Sequence, residues 1–236
     1  MMTPFLGEFI GTGFLILMGT GVVANVLLHK SKGQNGGWLV IALGWGIAVF
    51  TGVYVSASSS GAHLNPAVTI AMATVNKLSW NDVPFYILAQ FTGALTGALL
   101  SWLAYRQHVD LTDDPELKLA VFCNAPAVSN PLQNLLTETI ATFVLVLGVL
   151  FLTGPEKSLG SLDALPVALL VTGIGLSLGG PTGYAVNPAR DFAPRLLHFL
   201  LPIKNKRDSN WAYSWIPVVG PIIGGFMAAV IWKILH

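Results

Sequence analysis

Two triplets carry the most specific chemistry in the chain. Asn65-Pro66-Ala67 and Asn187-Pro188-Ala189 close the loops "SGAHL" and "GYAV", and each opens an apolar run too short to cross a bilayer. Asn is a preferred N-cap, and Pro suits the first helical position, where an amide proton would be unpaired anyway. The asparagine oxygen serves its own helix, which leaves the side-chain NH2 to donate into a cavity. A helix N-terminus also carries roughly +0.5 elementary charge. Two such ends facing each other favour a neutral solute that accepts hydrogen bonds, and they oppose cations and hydrated protons. Arg190, just after the second triplet, adds a fork of donors that cannot lose its charge. Glu8 and Glu138 lie inside apolar runs, where a carboxyl group is costly without partners. One reading is a proton relay. The favoured one is structural, with each acid accepting hydrogen bonds from amides of a re-entrant loop, because burial without partners would be intolerable; the separate halves also keep the two acids from serving one substrate atom as a catalytic pair.

The elements that must position these groups follow from hydropathy. The chain has 236 residues, 53% hydrophobic and 10% charged, with mean hydropathy +0.67. Soluble domains carry about a quarter charged residues. The composition therefore predicts an all-α integral membrane protein, one domain over residues 1–236, with the lipid bilayer as its surroundings. A net charge of +1 argues against nucleic acid as a partner. The single cysteine, Cys123, excludes an intrachain disulfide and a cysteine metal cluster, and it reads as a loop cysteine rather than a reactive thiol. With no metal-ligand set, nucleophile–base pair or phosphate loop, no cofactor and no enzyme activity are expected. Residues 1–4 lack the basic region of a cleavable signal.

A membrane span needs about 20 mostly apolar residues. Six segments qualify: 4–28, 38–57, 83–105, 133–153, 163–180 and 212–235. The runs 66–75 and 188–201 are half-spans. The polar connections are 30–37, 107–130, 155–161 and 204–210, and the acidic second one reads as a solvated loop.

The chain repeats itself. Gly61, Asn65, Pro66 and Ala67 match Gly183, Asn187, Pro188 and Ala189; "EFIGT" at 8–12 matches "ETIAT" at 138–142; "AQFTGA" at 89–94 resembles "GPIIGG" at 220–225. Repeat one covers about 1–106 and repeat two about 132–236, each with three spans and a half-helix. Three is odd, so the second half enters the membrane from the opposite side. Inverted repeats place the substrate path at their interface near the midplane. Irregular backbone is tolerated at that depth only where it lines a cavity or is buried in protein. Gly93/Gly97 and Gly220/Gly224 read as close helix contacts, and His63 as a pore-lining residue rather than a pH gate.

Two Asn-Pro-Ala motifs in an inverted three-plus-three repeat resemble the aquaporin and aquaglyceroporin family, the major intrinsic proteins. The resemblance covers nearly the whole chain. It implies six tilted helices, two re-entrant half-helices, a pore in each subunit, a homotetramer and cytoplasmic termini in the plasma membrane. The Lys/Arg distribution favours the reverse orientation, with seven basic residues on the implied outer side. By motif register the family's selectivity filter falls on Trp45, Gly175, Tyr184 and Arg190. The implied pore-lining carbonyls are those of Gly61, Ala62, His63, Gly183, Tyr184 and Ala185. Gly175 stands where water-selective members have histidine, which implies a pore wide enough for carbon. Asp191 and Pro217 also resemble the glycerol-conducting branch. Tyr184 departs from the phenylalanine usual in bacterial glycerol facilitators.

The expected function is a passive channel for glycerol and other small neutral solutes (dihydroxyacetone, urea, protonated lactic acid), with water permeation and exclusion of protons and ions. The alternatives are a water-selective pore and a secondary active transporter, which also uses inverted repeats and broken helices.

Overall fold

The computed structural model describes residues 2–152, 159 and 162–236. Among these residues the regular elements are helices: α1 (Pro4–Leu27), α2 (Gly37–Ser60), α3 (Pro66–Thr74), α4 (Val83–Leu111), α5 (Pro115–Phe122), α6 (Pro131–Leu152), α7 (Ala164–Leu178), α8 (Pro188–Leu200) and α9 (Ile216–Leu235). Five of them, α1, α2, α4, α6 and α9, are long and apolar enough to cross a membrane. The sixth apolar segment, α7, has 15 residues and ends at a Gly179 cap before a turn at 180–182, short of the expected 163–180. The connection expected at 155–161 lies almost wholly outside the described residues.

The helix starts are written locally. Thr3 accepts from the Leu6 amide ahead of Pro4, and Asp114 accepts from the Glu116 amide ahead of Pro115. Asn65 accepts from the Ala67 amide, and Asn187 from those of Ala189 and Arg190. Both half-helices, α3 and α8, thus begin at an asparagine cap followed by proline, as their sequences predict.

Packing repeats between the halves. α1 lies on α4, and α6 on α9. A Cβ added at Gly93 or Gly97 would strike the backbone of Phe9 or Gly13, and one at Gly224 the backbone of Thr139. Small residues let these helix backbones approach, which is how apolar helices associate where lipid is as greasy as leucine. The half-helices cross over: α3 packs on α9 and α8 on α4, while α2 meets α7 at the junction of the halves. The far ends of both half-helices receive a lysine. Lys206 Nζ donates to the carbonyls of His198, Phe199 and Leu201 at 2.6, 2.7 and 2.7 Å, and Lys233 Nζ to that of Thr74 at 3.2 Å. Cations are favoured at helix C-termini, where carbonyls lack partners.

Residues 107–130 differ from the expected solvated loop. α4 continues to Leu111, α5 follows, and Lys118, Leu119, Val121, Phe122, Cys123 and Asn124 are buried. The acidic groups Asp110, Asp113, Asp114 and Glu116 stay exposed and account for the polar look of the segment. Burial is driven by tertiary partners: Lys118 Nζ donates to the Lys204 carbonyl at 2.6 Å, and Phe122 sits 5.3 Å from the His198 ring. Cys123 donates weakly to the Leu119 carbonyl, and burial pushes its thiol up to about 12.

The thiolate is the nucleophilic form, and a raised pKa removes it below that value. Cys123 is therefore expected to resist a disulfide reagent in the folded protein at pH 8 and to react fully in denaturing detergent. Rapid labelling of the folded protein would contradict its burial.

Candidate pore and its polar lining

Each half-helix is preceded by a descending arm with unusual backbone. Gly61, Ala62 and Leu64 have φ of 78, 52 and 53°; Gly183, Tyr184 and Val186 have 77, 40 and 46°. Left-handed φ is uncommon outside glycine and is retained only where surroundings impose it. Here the imposing groups are the two buried acids. Glu8 Oε1 accepts from the His63 amide at 2.9 Å and the Ser60 hydroxyl at 2.7 Å. Its Oε2 accepts from the Leu64 amide and from Gln90 Nε2, each at 2.7 Å. Glu138 accepts from the Ala185 and Val186 amides, each at 2.9 Å. Hydrogen bonds to a carboxylate are roughly twice as strong as neutral ones.

The asparagines do more than cap. Asn65 Nδ2 donates to the Val186 carbonyl and Asn187 Nδ2 to the Leu64 carbonyl, each at 2.8 Å. The side-chain NH2 expected to be wholly free thus spends one proton on the opposite arm, and the second remains. Leu64 and Val186 were not marked by residue type. Their one signal is position, immediately before the asparagine in both copies.

A cavity of about 370 Å³ runs between the halves. Gly61, Ala62, His63 and Asn65 line it from the first arm, and Tyr184, Ala185, Asn187 and Arg190 from the second. The facing wall is apolar, with Val49 and Val53 of α2, Leu145 and Val149 of α6, and Val167 and Val171 of α7. His63 is held by neighbours: its Nδ1 is 3.2 Å from Thr69 Oγ1, and its ring is 5.0 Å from that of Tyr86.

Trp45, Tyr184 and Arg190 also line this cavity, and the Arg190 guanidinium lies 4.4 Å from the Trp45 ring centroid. Gly175 and Gly183 do not line it. A Cβ on Gly175 would stand 2.8 Å from Tyr184 Cζ, so the tyrosine ring occupies the space that the glycine leaves. The Gly175 carbonyl accepts from Trp38 Nε1 at 2.9 Å, and Trp38 meets Tyr184 edge-on at 5.8 Å. Pro66, Ala67, Pro188, Ala189 and Pro217 are buried in packing rather than at the cavity. Asp191 faces away and is bound to Arg195 at 2.8 Å, both side chains fully buried. Arg195 also donates to the carbonyls of Ser209, Asn210 and Asn124. Among the described residues no group of His, Cys, Asp and Glu has the arrangement of a metal site.

The comparisons agree in direction. The sequence pattern of the family described as Major intrinsic protein matches residues 1–232. A probable glycerol uptake facilitator protein of Thermotoga maritima is 56% identical over 232 residues, 98% of this chain and 99% of that one. A glycerol uptake facilitator protein of Streptococcus pneumoniae is 49% identical over 99% of this chain and all of its own length. The X-ray structure of the aquaglyceroporin from Plasmodium falciparum superposes with a TM-score of 0.87 at 32% identity, covering 97% of this chain and 94% of that one.

Replacing Glu138 by Gln leaves one acceptor for two amides and turns a donor toward the other. An unpaired buried donor costs about 1–3 kcal/mol. Glu138→Gln should therefore lower thermal stability in detergent. A variant as stable as the parent would remove the acid from its place as anchor of the second arm.

Proposed function

The chain belongs to the major intrinsic protein family, and on that premise we propose that it is a passive membrane channel for glycerol and similar small neutral solutes. The observation that carries the reading is the two-faced cavity, with backbone, asparagine amides and Arg190 on one side and branched apolar side chains on the other. A polyol has the same two faces. Its hydroxyls exchange water for fixed donors and acceptors, and its carbon–hydrogen edge rests on the valines. The relatives named as glycerol facilitators and the aquaglyceroporin fold point the same way.

In this reading Trp45, Tyr184 and Arg190 form the narrow filter, and Gly175 acts through Tyr184 by giving its ring a seat. Arg190 supplies donors, and Trp45 and Tyr184 supply the apolar corner. The positive ends of α3 and α8 meet at the midplane and oppose cations. The same family membership supports a plasma-membrane homotetramer with cytoplasmic termini and a path in each subunit. A coupled transporter would need a buried ion-binding acid on the path; Glu8 and Glu138 are occupied by loop amides, and Asp163, the acid that lines the cavity among the described residues, is an exposed residue at the start of α7.

The test is stopped-flow light scattering of proteoliposomes under an inward glycerol gradient, with a pH dye inside. Fast reswelling without proton entry is expected. Shrinkage by water loss without reswelling would make the pore water-selective, and accumulation driven by a proton gradient would make it a transporter.

Gly175→His must displace the Tyr184 ring and narrow the path. At equal protein per vesicle, glycerol flux should fall about tenfold, the effect of ~1.4 kcal/mol of added barrier, while water flux persists. Unchanged glycerol flux would sink the filter assignment.

A further inference from the structure

The two arms are anchored differently. Apart from the Asn187 bond to the Leu64 carbonyl, the hydrogen bonds that hold the first arm come from its own half: Glu8 of α1, Ser60 of α2, and Tyr86 and Gln90 of α4, whose hydroxyl and amide reach the Ser60 carbonyl and Glu8 at 2.9 and 2.7 Å. The position matching Gln90 in the second half is Pro221, which has no such donor. Beyond Glu138 and Asn65, the second arm takes its further hold from the segment that joins the halves.

Asn124 is the centre of that hold. Its side chain is buried, and its Nδ2 donates to the Thr182 carbonyl at 3.0 Å. Its backbone amide donates to Asp191 Oδ2 at 2.7 Å, and its carbonyl accepts from Arg195 Nη2 at 2.9 Å. Three residues on, the Ala127 amide donates to the Pro181 carbonyl at 2.9 Å. A Cβ on Gly183 would stand 2.6 Å from Asn124 Nδ2, so glycine is needed there for the contact to close. One residue thus grips the descending arm two positions before Tyr184 and the half-helix one position after Arg190. A carbonyl faces the side chain, so the donor end of the amide must point at the arm.

We infer that Asn124 is a positioning residue of the solute path: it clasps the second arm to α8 and so sets the distance between Tyr184 and Arg190. The inference rests on the channel reading above. Asn124 does not line the cavity and touches no solute. Its effect passes through the backbone of 181–184, where left-handed φ at Gly183 and Tyr184 leaves the arm dependent on external holds.

The experiment compares glycerol, xylitol and water permeabilities in proteoliposomes at equal protein content, for the parent chain, Asn124→Ala and Ala127→Pro. A role confined to folding lowers abundance, or scales all three permeabilities together. Positioning changes their ratio. Asn124→Ala should lower the glycerol-to-xylitol ratio by about threefold or more, the effect of ~0.7 kcal/mol of lost discrimination. Ala127→Pro removes the donor to Pro181 at an exposed position and should shift the ratio the same way; it decides the matter alone if Asn124→Ala fails to reach the membrane. An unchanged ratio overturns the clasp. If the parent chain passes water and no glycerol, the polyol reading fails separately. The clasp then stands if Asn124→Ala admits glycerol, and falls if it still excludes it.

Discussion

Two hydrogen bonds across the midplane hold the rest in place: Asn65 to the Val186 carbonyl, and Asn187 to the Leu64 carbonyl. Each half borrows its last acceptor from the other. A half-helix that ended its arm in lipid would leave carbonyls unpaired at a cost of several kcal/mol each. Meeting its inverted copy removes that cost on both sides at once. The arrangement also explains why the half-helices pack on long helices of the opposite half, since the arms cannot meet unless α3 and α8 reach across.

The carboxyl groups complete the same constraint from behind. The asparagines tie the arms to each other, and Glu8 and Glu138 tie each arm to its own long helix. Between these holds the backbone has no freedom to relax out of left-handed φ. Carbonyls that ordinarily vanish into helix ladders are thereby left beside a cavity. The apolar wall opposite contributes shape and little else, which suits a path that must not hold its solute tightly.

Much of this was legible in the sequence, and the reasons are local. Proline after asparagine encodes a helix start whatever its depth, so α3 and α8 emerged with their caps. A lone acid in an apolar run must find donors, which pointed Glu8 and Glu138 at loop amides. Other features were hidden because their causes are distant in the chain. Lys118 and Asn124 are polar residues that composition assigns to water, and they are buried by carbonyls and carboxylates many tens of residues away. Gly175 was informative only in part. A missing side chain says that something comes close, but it does not say whether that is a solute or, as here, the ring of Tyr184.

The lysines at the outer ends of the half-helices have an electrostatic consequence. An isolated helix presents a positive and a negative end, and the two potentials partly cancel at a distance. Lys206 on two carbonyls of α8 and that of its cap residue Leu201, and Lys233 on Thr74 of α3, offset the negative ends. The ends left without a counter-charge at their tips are the two that meet at Asn65 and Asn187. A cation is therefore opposed close to the asparagines, over about the first helical turn, while an uncharged dipole turns its oxygen toward the donors and moves on.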